Sequence, residues 1–374
     1  MTVRPPAEPG MRIEEVDTPA LIVDLDAFED NLRRMAGEMR GSAIRVRPHA
    51  KTHKCAVIAL QQIALGAVGV CCQKVSEAEA LVDGGVGDVL VSNEIVGERK
   101  LRRLAAIARR ARVGVCVDEP GNIDDLARVA GTFGASLDVY VEVDVGSKRC
   151  GVETPEGALA LARRIASKPM LKFTGLQAYH GSAQHKRTPA ERKAAIESAA
   201  SIAGAAKRVI EAAGIACPIV TGAGTGTYRL EAASGVYNEI QPGSYVFMDA
   251  DYGRNQGEGG APFADFRHSL FVFATIMSRP TDARAVVDAG LKAVSVDSGM
   301  PTLGDGIDGE YVAPSDEHGT MRLGPQSQRL KVGDKIRLVP GHCDPTVNLY
   351  DWYVCVRGGL VESLWPIVAR GAVY

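Results

Sequence analysis

The sequence predicts an α/β chain: a (β/α)8 TIM-type barrel with a second, mainly antiparallel β domain. Three observations predict it. Eight apolar, β-rich runs alternate with helix-type segments over the first two thirds of the chain. Several of those runs are almost unbroken in apolar residues, as strands covered on both faces are. After about Arg267 the helical segments stop, and short strand-like runs separated by turns take over.

Taken in order, the first set of runs lies at 44–49, 68–73, 88–93, 113–118, 137–144, 173–180, 219–225 and 239–246. Helices fall between them. The segment 75–86 carries the helix-forming string Ser76-Glu77-Ala78-Glu79-Ala80-Leu81. Thr154-Pro155-Glu156 and Thr188-Pro189 each set an N-capping threonine before a proline at the first helical position, and 190–213 is a long Ala/Lys/Glu helix. Eight strand–helix alternations argue for a barrel. Runs at 270–277, 284–288, 293–297, 334–339, 352–356 and 360–365 read as strands of a separate antiparallel domain. A further strand at 20–26 precedes the barrel and is assigned to that same sheet. The expected organisation is therefore an N-terminal strand within 1–26, a barrel over 27–266 and a β domain over 267–374.

Bulk properties narrow the function class. A chain of 374 residues is long enough for a barrel plus a smaller unit. Its 43 basic and 45 acidic residues leave a net charge of −2, so no nucleic-acid footprint is visible. The basic run Arg109-Arg110-Ala111-Arg112 reads as a solvated helix face. Arg4, Pro5, Pro6 and Glu8 interrupt any signal-peptide pattern, and no apolar run reaches the roughly 18 residues of a membrane span. The eight cysteines sit mostly in apolar runs with no CxxC pair, which fits reduced thiols in a cytoplasmic protein and argues against a structural zinc site.

The chemistry-bearing residues cluster at the ends of the predicted barrel strands, where barrels carry catalysis. Lys51, Gln73, Asn93, Asp144, His180 and Thr225 occupy such positions. Lys51 stands between His49 and His53 in Arg47-Pro48-His49-Ala50-Lys51-Thr52-His53-Lys54. A lysine at a strand mouth forms an imine when its surroundings lower its pKa. The competing reading is a basic surface cluster shared with Lys54. The turn Thr221-Gly222-Ala223-Gly224-Thr225-Gly226-Thr227 follows the seventh strand, where barrels hold phosphate; otherwise it is a flexible glycine loop. Arg149 follows the fifth strand and serves a cofactor ring, a substrate carboxylate or only the rim. In Gly341-His342-Cys343-Asp344-Pro345, His342 and Asp344 alternate along a segment read as extended, so both side chains point one way. An imidazole and a carboxylate suit a hard divalent ion, or simply hydrogen-bond to each other. An imine-forming lysine, a phosphate cradle and a metal pair together suggest pyridoxal phosphate chemistry with metal assistance.

These motifs, taken together, resemble those of D-threonine aldolases. Val46-Arg47-Pro48-His49-Ala50-Lys51, Val70-Cys71-Cys72-Gln73-Lys74-Val75-Ser76-Glu77-Ala78 and Val141-Glu142-Val143-Asp144-Val145-Gly146 carry the resemblance. So do Gln177-Ala178-Tyr179-His180-Gly181, Gly222-Ala223-Gly224-Thr225-Gly226, Gly243-Ser244-Tyr245 and Gly341-His342-Cys343-Asp344-Pro345. The likeness runs from 18 to 374, to a family with the alanine-racemase-like fold of pyridoxal phosphate enzymes. Asp288-Ala289-Gly290-Leu291-Lys292, Asp297-Ser298-Gly299 and Asp351-Trp352-Tyr353-Val354 are especially similar to β-hydroxyaspartate aldolases.

The resemblance implies roles. Lys51 would carry pyridoxal phosphate as an imine, with Gln73 and Tyr179 at the cofactor and Arg149 on its phenolic oxygen. Gly224, Thr225 and Gly226 would hold the phosphate, with Gly243, Ser244 and Tyr245 nearby. His342 and Asp344 would hold a divalent ion, Mn²⁺ or Mg²⁺, and His53 would position or deprotonate the substrate hydroxyl. The implied reaction is retro-aldol cleavage of a D-3-hydroxy amino acid, of D-threonine or 3-hydroxyaspartate type, to glycine and an aldehyde. Related D-serine dehydratases resemble the chain but use a His-x-Cys zinc pair; here Asp344 is a hard ligand, and Cys343 should point away. A metal-dependent D-serine or 3-hydroxy-D-aspartate dehydratase is the first alternative, and an amino-acid racemase the second. A non-enzymatic pyridoxal phosphate homeostasis protein is a barrel alone, so the β domain argues against it. The family also implies a homodimer.

Overall fold

The computed structural model describes residues 4–374. The chain enters through β1 (Ala20–Asp24), and eight short parallel strands then form the barrel. They are β2 (Arg45–Val46), β3 (Val70–Cys72), β4 (Asp88–Glu94), β5 (Arg112–Val117), β6 (Leu137–Glu142), β7 (Leu171–Gln177), β8 (Ile219–Gly222) and β9 (Glu239–Ile240). Their order is β2-β9-β8-β7-β6-β5-β4-β3. The ring closes just past β2, where His49 bridges Cys71, Ala50 N–H donates to Cys71 O (2.7 Å) and Cys71 N–H donates to Pro48 O (2.9 Å).

Burial on both faces explains the unbroken apolar runs. Val89, Val91, Val113, Val115 and Val139 share a core with helix residues Leu81, Leu104, Leu126 and Leu161. The alternate residues Leu90, Cys116 and Tyr140 form a separate small cluster with Cys71 and Ile219. That division is the period-two geometry of a strand with two dry faces.

The second sheet adds β10 (Leu270–Thr281), β11 (Arg284–Val287), β12 (Thr302–Leu303), β13 (Gly309–Pro314), β14 (Gly319–Leu323), β15 (Lys335–Val339), β16 (Trp352–Arg357) and β17 (Leu360–Pro366). Although first in sequence, β1 lies inside this sheet, antiparallel to β10 and parallel to β16. From β1 the helix Leu25–Met39 leads to the barrel, capped by Asp24, which accepts from Ala27 N–H at 3.0 Å. Phe28 on that helix meets Phe247 and Trp365, with ring centroids 6.3 and 5.5 Å apart. One apolar core therefore joins helix Leu25–Met39, the segment around Phe247 and the sheet residues Leu21, Val272 and Tyr353.

Several predicted elements end early, for local reasons. The strand predicted at 20–26 stops at Asp24 because that side chain caps the following helix. The runs at 44–49 and 239–246 shrink to two residues each, since Pro48 and Pro242 cannot donate to a ladder. The strand predicted at 293–297 is absent. Ser295 Oγ donates to Asp297 Oδ1 there (2.8 Å), and such local side-chain bonds compete with sheet pairing. In turn, β12, β13 and β14 fall where the chain is rich in glycine and charge and shows little apolar alternation.

Candidate active site

The site is assembled at the C-terminal ends of the barrel strands and completed by a loop of the β domain. Arg47, just past β2, turns its buried guanidinium to Glu239 (Nε–Oε1 3.1 Å) and Asp88 (Nη1–Oδ1 2.6 Å), which anchors the start of the lysine turn. His49 comes next. Its Nδ1 accepts from Lys51 N–H (3.3 Å), while Nε2 lies 2.9 Å from the Gln73 amide and 3.3 Å from Ser92 Oγ. Burial, with Lys51 beside it, pushes the His49 pKa well below the usual imidazole range.

Lys51 reaches into a cleft of about 400 Å³. Gln73, Arg149, Tyr179, Gly224, Thr225, Gly243 and Ser244 all line that cleft with it. Its Nζ is ion-paired with Asp344 Oδ2. Burial disfavours the charged amine, but the Asp344 carboxylate outweighs that and holds the ammonium above the ordinary lysine range. The surface-cluster alternative fails: Lys54 is buried elsewhere, its Nζ bound to Glu77.

The guanidinium carbon of Arg149 stands 5.7 Å from the Tyr179 ring centre, and Nη2 is 3.7 Å from Glu142 Oε1. Burial, reinforced by Glu94 alongside, pushes the Glu142 carboxyl up to about 9. Glu94 also belongs to the one set of three His, Cys, Asp or Glu donors found close enough to share an ion among the described residues: Glu94, Asp118 and Cys150, within 4.8 Å of one another. Sequence reading missed it because its members come from three separate strand ends.

Other predicted residues are placed differently. Gly224 and Thr225 face the cleft, but the Gly226 N–H is already donated to Gln184 Oε1 (3.0 Å) and the residue lines a separate hollow beside Tyr228. Tyr245 contributes its backbone, with N–H donating to Thr225 Oγ1 (3.0 Å). Its buried phenol instead accepts from Gln62 Nε2 (3.0 Å). His53 is fully buried and, like Asp344, is not among the cleft-lining residues; Asp344 is one of its charged neighbours. Its Nδ1 accepts from Cys55 N–H (3.2 Å), so the neutral ring carries its proton on Nε2, which faces Gln62 Oε1 without completing a hydrogen bond.

Burial lowers the His53 pKa to about 4, and this has a testable consequence. The unfolded ring takes up a proton near its ordinary 6.5 and the folded ring only near 4. This group therefore stabilises the fold fully above pH 6.5, and the contribution is lost as pH falls towards 4, about 3 kcal/mol in all. His53→Gln should flatten the acid limb of the stability curve by that amount between pH 7 and pH 4. Parallel acid limbs from denaturant titrations of both proteins would refute it.

His342 and Asp344 do not lie on an extended run as predicted. His342 is the extended N-cap of a short helix, Cys343–Val347, and Asp344 is its second residue. Pro345 is tolerated in the first helical turn, where its missing N–H costs no bond. Asp249 Oδ2 accepts the Cys343 N–H (3.1 Å), and the buried Cys343 Sγ is directed to Met248 O (3.4 Å). Asp344 Oδ1 and Thr52 Oγ1 are both buried, and the Thr52 hydroxyl faces the Asp344 carboxylate without completing a hydrogen bond. His342 Nδ1 lies 2.8 Å from Asp297 Oδ2. Sequence reading also missed the floor of the cleft, where Gln177 and Gln241 exchange side-chain amide bonds (3.2 and 2.8 Å).

Comparison with known proteins follows the same division. Residues 23–251 match the family model "Alanine racemase, N-terminal domain", and residues 269–356 match "Putative serine dehydratase domain". The chain is 49% identical to a D-threonine aldolase from Arthrobacter sp., over 98% of this chain and 96% of that protein. It is 48% identical to a 3-hydroxy-D-aspartate aldolase from Paracoccus denitrificans strain Pd 1222, over 99% and 96%. A crystal structure of D-threonine aldolase from Filomicrobium marinum superposes with a TM-score of 0.96 at 49% identity, covering 99% of this chain and all of that one. Relatives named as dehydratases are more distant, one from Delftia sp. being 28% identical.

Proposed function

The chain belongs to the family of the D-threonine and 3-hydroxy-D-aspartate aldolases, and on that premise we propose that it cleaves a D-3-hydroxy amino acid to glycine and an aldehyde. It is a lyase. The observation that carries the reading is the ion pair between Lys51, which lines the barrel cleft, and Asp344 from the β domain.

Two groups implied by the family fit the residues present. For pyridoxal phosphate there is a cleft of about 400 Å³ with one lysine, a guanidinium beside a tyrosine ring, and three glycines, of which Gly224 and Gly243 have no room for a Cβ. Lys51 would attach it, Arg149 and Tyr179 would orient its ring, and Gly224, Thr225, Gly243 and Ser244 would hold its phosphate. When bound, the cofactor supplies an electron sink for the Cα electrons released as the Cα–Cβ bond breaks. For a divalent ion the unpartnered Asp344 Oδ1 is a ready hard donor beside His342, which favours Mn²⁺ or Mg²⁺. Such an ion lowers the pKa of a bound hydroxyl.

The protein's own share is orientation and charge. Burial and Glu94 push the Glu142 carboxyl up, so it neutralises the Arg149 guanidinium 3.7 Å away less than an ordinary carboxylate would, which leaves that cation for the cofactor's phenolic oxygen. The Gln177–Gln241 pair and His49 close the cleft floor with polar groups that are already paired. Asp344 and Lys51 face each other in one chain, so these two groups need no partner subunit; a homodimer is our proposal from the family. No helix among the described residues is long and apolar enough to cross a membrane. The eight free cysteines, seven of them buried, support a reducing cytoplasm.

The test is product analysis of the loaded enzyme with D-threonine and with both diastereomers of D-3-hydroxyaspartate, plus Mn²⁺ or Mg²⁺. Glycine with acetaldehyde or glyoxylate is expected, and kcat/KM selects the side chain. Ammonia with a keto acid would move the chain to the dehydratases.

A further inference from the structure

The loop 295–299 has no role in the reaction as described so far, yet it is fastened to the ion-site loop at several points. Asp297 Oδ2 lies 2.8 Å from His342 Nδ1, and its other oxygen, Oδ1, accepts from Ser295 Oγ at 2.8 Å. Ser295 N–H donates to Thr346 Oγ1 (3.2 Å), and the same Thr346 hydroxyl donates to His342 O (2.8 Å). Arg254 binds Ser298 O from the barrel side. The two loops also touch through backbone: a Cβ on Gly341 would stand 2.0 Å from Gly299 O, so only glycine permits the approach. The carboxylate is therefore fixed on both oxygens before any ion arrives.

We propose that Asp297 is a positioning residue of the ion site: its carboxylate accepts a hydrogen bond from Nδ1–H of His342, holds the proton on that nitrogen, fixes the ring, and leaves Nε2 as the ligand nitrogen. An imidazole ligates through one nitrogen only when the other carries the proton, and a carboxylate on that proton sets both the tautomer and the ring angle. Residues in this position typically alter metal affinity by about 10–100-fold. The inference rests on the metal-dependent reading above. It adds a residue that reading does not use.

The experiment titrates Mn²⁺ into metal-free, full-length protein and follows the free-ion EPR signal for wild type, Asp297→Ala and Asp297→Asn. Thermal melts check folding. Asparagine still offers an oxygen to the Nδ1 proton. The expected result is a loss of about 10–100-fold in affinity for D297A and recovery of most of it in D297N. Nitrogen-15 spectra of the metal-free wild type should show His342 protonated on Nδ1, and D297A should lose that preference. Wild-type affinity in D297A would overturn the proposal and leave the aldolase reading standing. Equal losses in D297A and D297N would also overturn it, making Asp297 a direct ligand. Absence of Mn²⁺ binding by the wild type would bring down the metal reading together with this one.

Discussion

Lys51→Ala is expected to lower kcat/KM by about 10⁴-fold or more, and borohydride reduction should then leave no cofactor label on the chain. The magnitude follows from deleting a covalent catalyst. No second lysine lines the cleft among the described residues, and Lys54, three positions on, is buried against Glu77. Alanine also strips Asp344 of its cation, which confounds chemistry with folding. Lys51→Arg separates the two effects. A guanidinium keeps the charge opposite Asp344 but never loses its proton to become a nucleophile. We expect K51R to melt close to wild type, with activity as low as that of K51A. Retention of more than a small fraction of activity in K51R, or a borohydride label on another residue, would remove Lys51 from its role.

The legible part of this site was the part written locally. Lys51, Gln73, Thr225 and Arg149 sit at or just past strand ends, so strand rhythm alone placed them on one rim. Asp344 was legible as a hard donor near a histidine, although the extended geometry argued for the pair was wrong: a proline in the first turn is compatible with helix. The illegible part depends on approach through space. Asp297 meets His342 across 45 positions, and Gln177 meets Gln241 across 64. Nothing in the string marks either pair. His53 was assigned from the family likeness alone. Its ring is fully buried, which no local pattern in the lysine turn marks.

Asp344→Ala should separate two duties that the carboxylate performs at once. As an ion ligand its loss should weaken Mn²⁺ binding by at least about 10²-fold. The accompanying fall in kcat should be about 10³-fold, the several kcal/mol that a Lewis acid contributes. As the partner of Lys51, the same carboxylate is what overrides burial and keeps the amine charged. With it gone, burial is opposed only by the weaker influence of Tyr179 and Glu77, and the lysine pKa falls. The sign is therefore opposite to that of a simple loss of function: the neutral amine appears at lower pH, and cofactor attachment should extend to more acidic solution than in metal-free wild type. Borohydride trapping across a pH series, without added metal, reads this directly. An attachment profile unmoved by D344A would show that the Lys51–Asp344 pair does not govern the amine. Undiminished Mn²⁺ affinity in D344A would place the ion elsewhere, and the cluster of Glu94, Asp118 and Cys150 would be the next set of donors to remove.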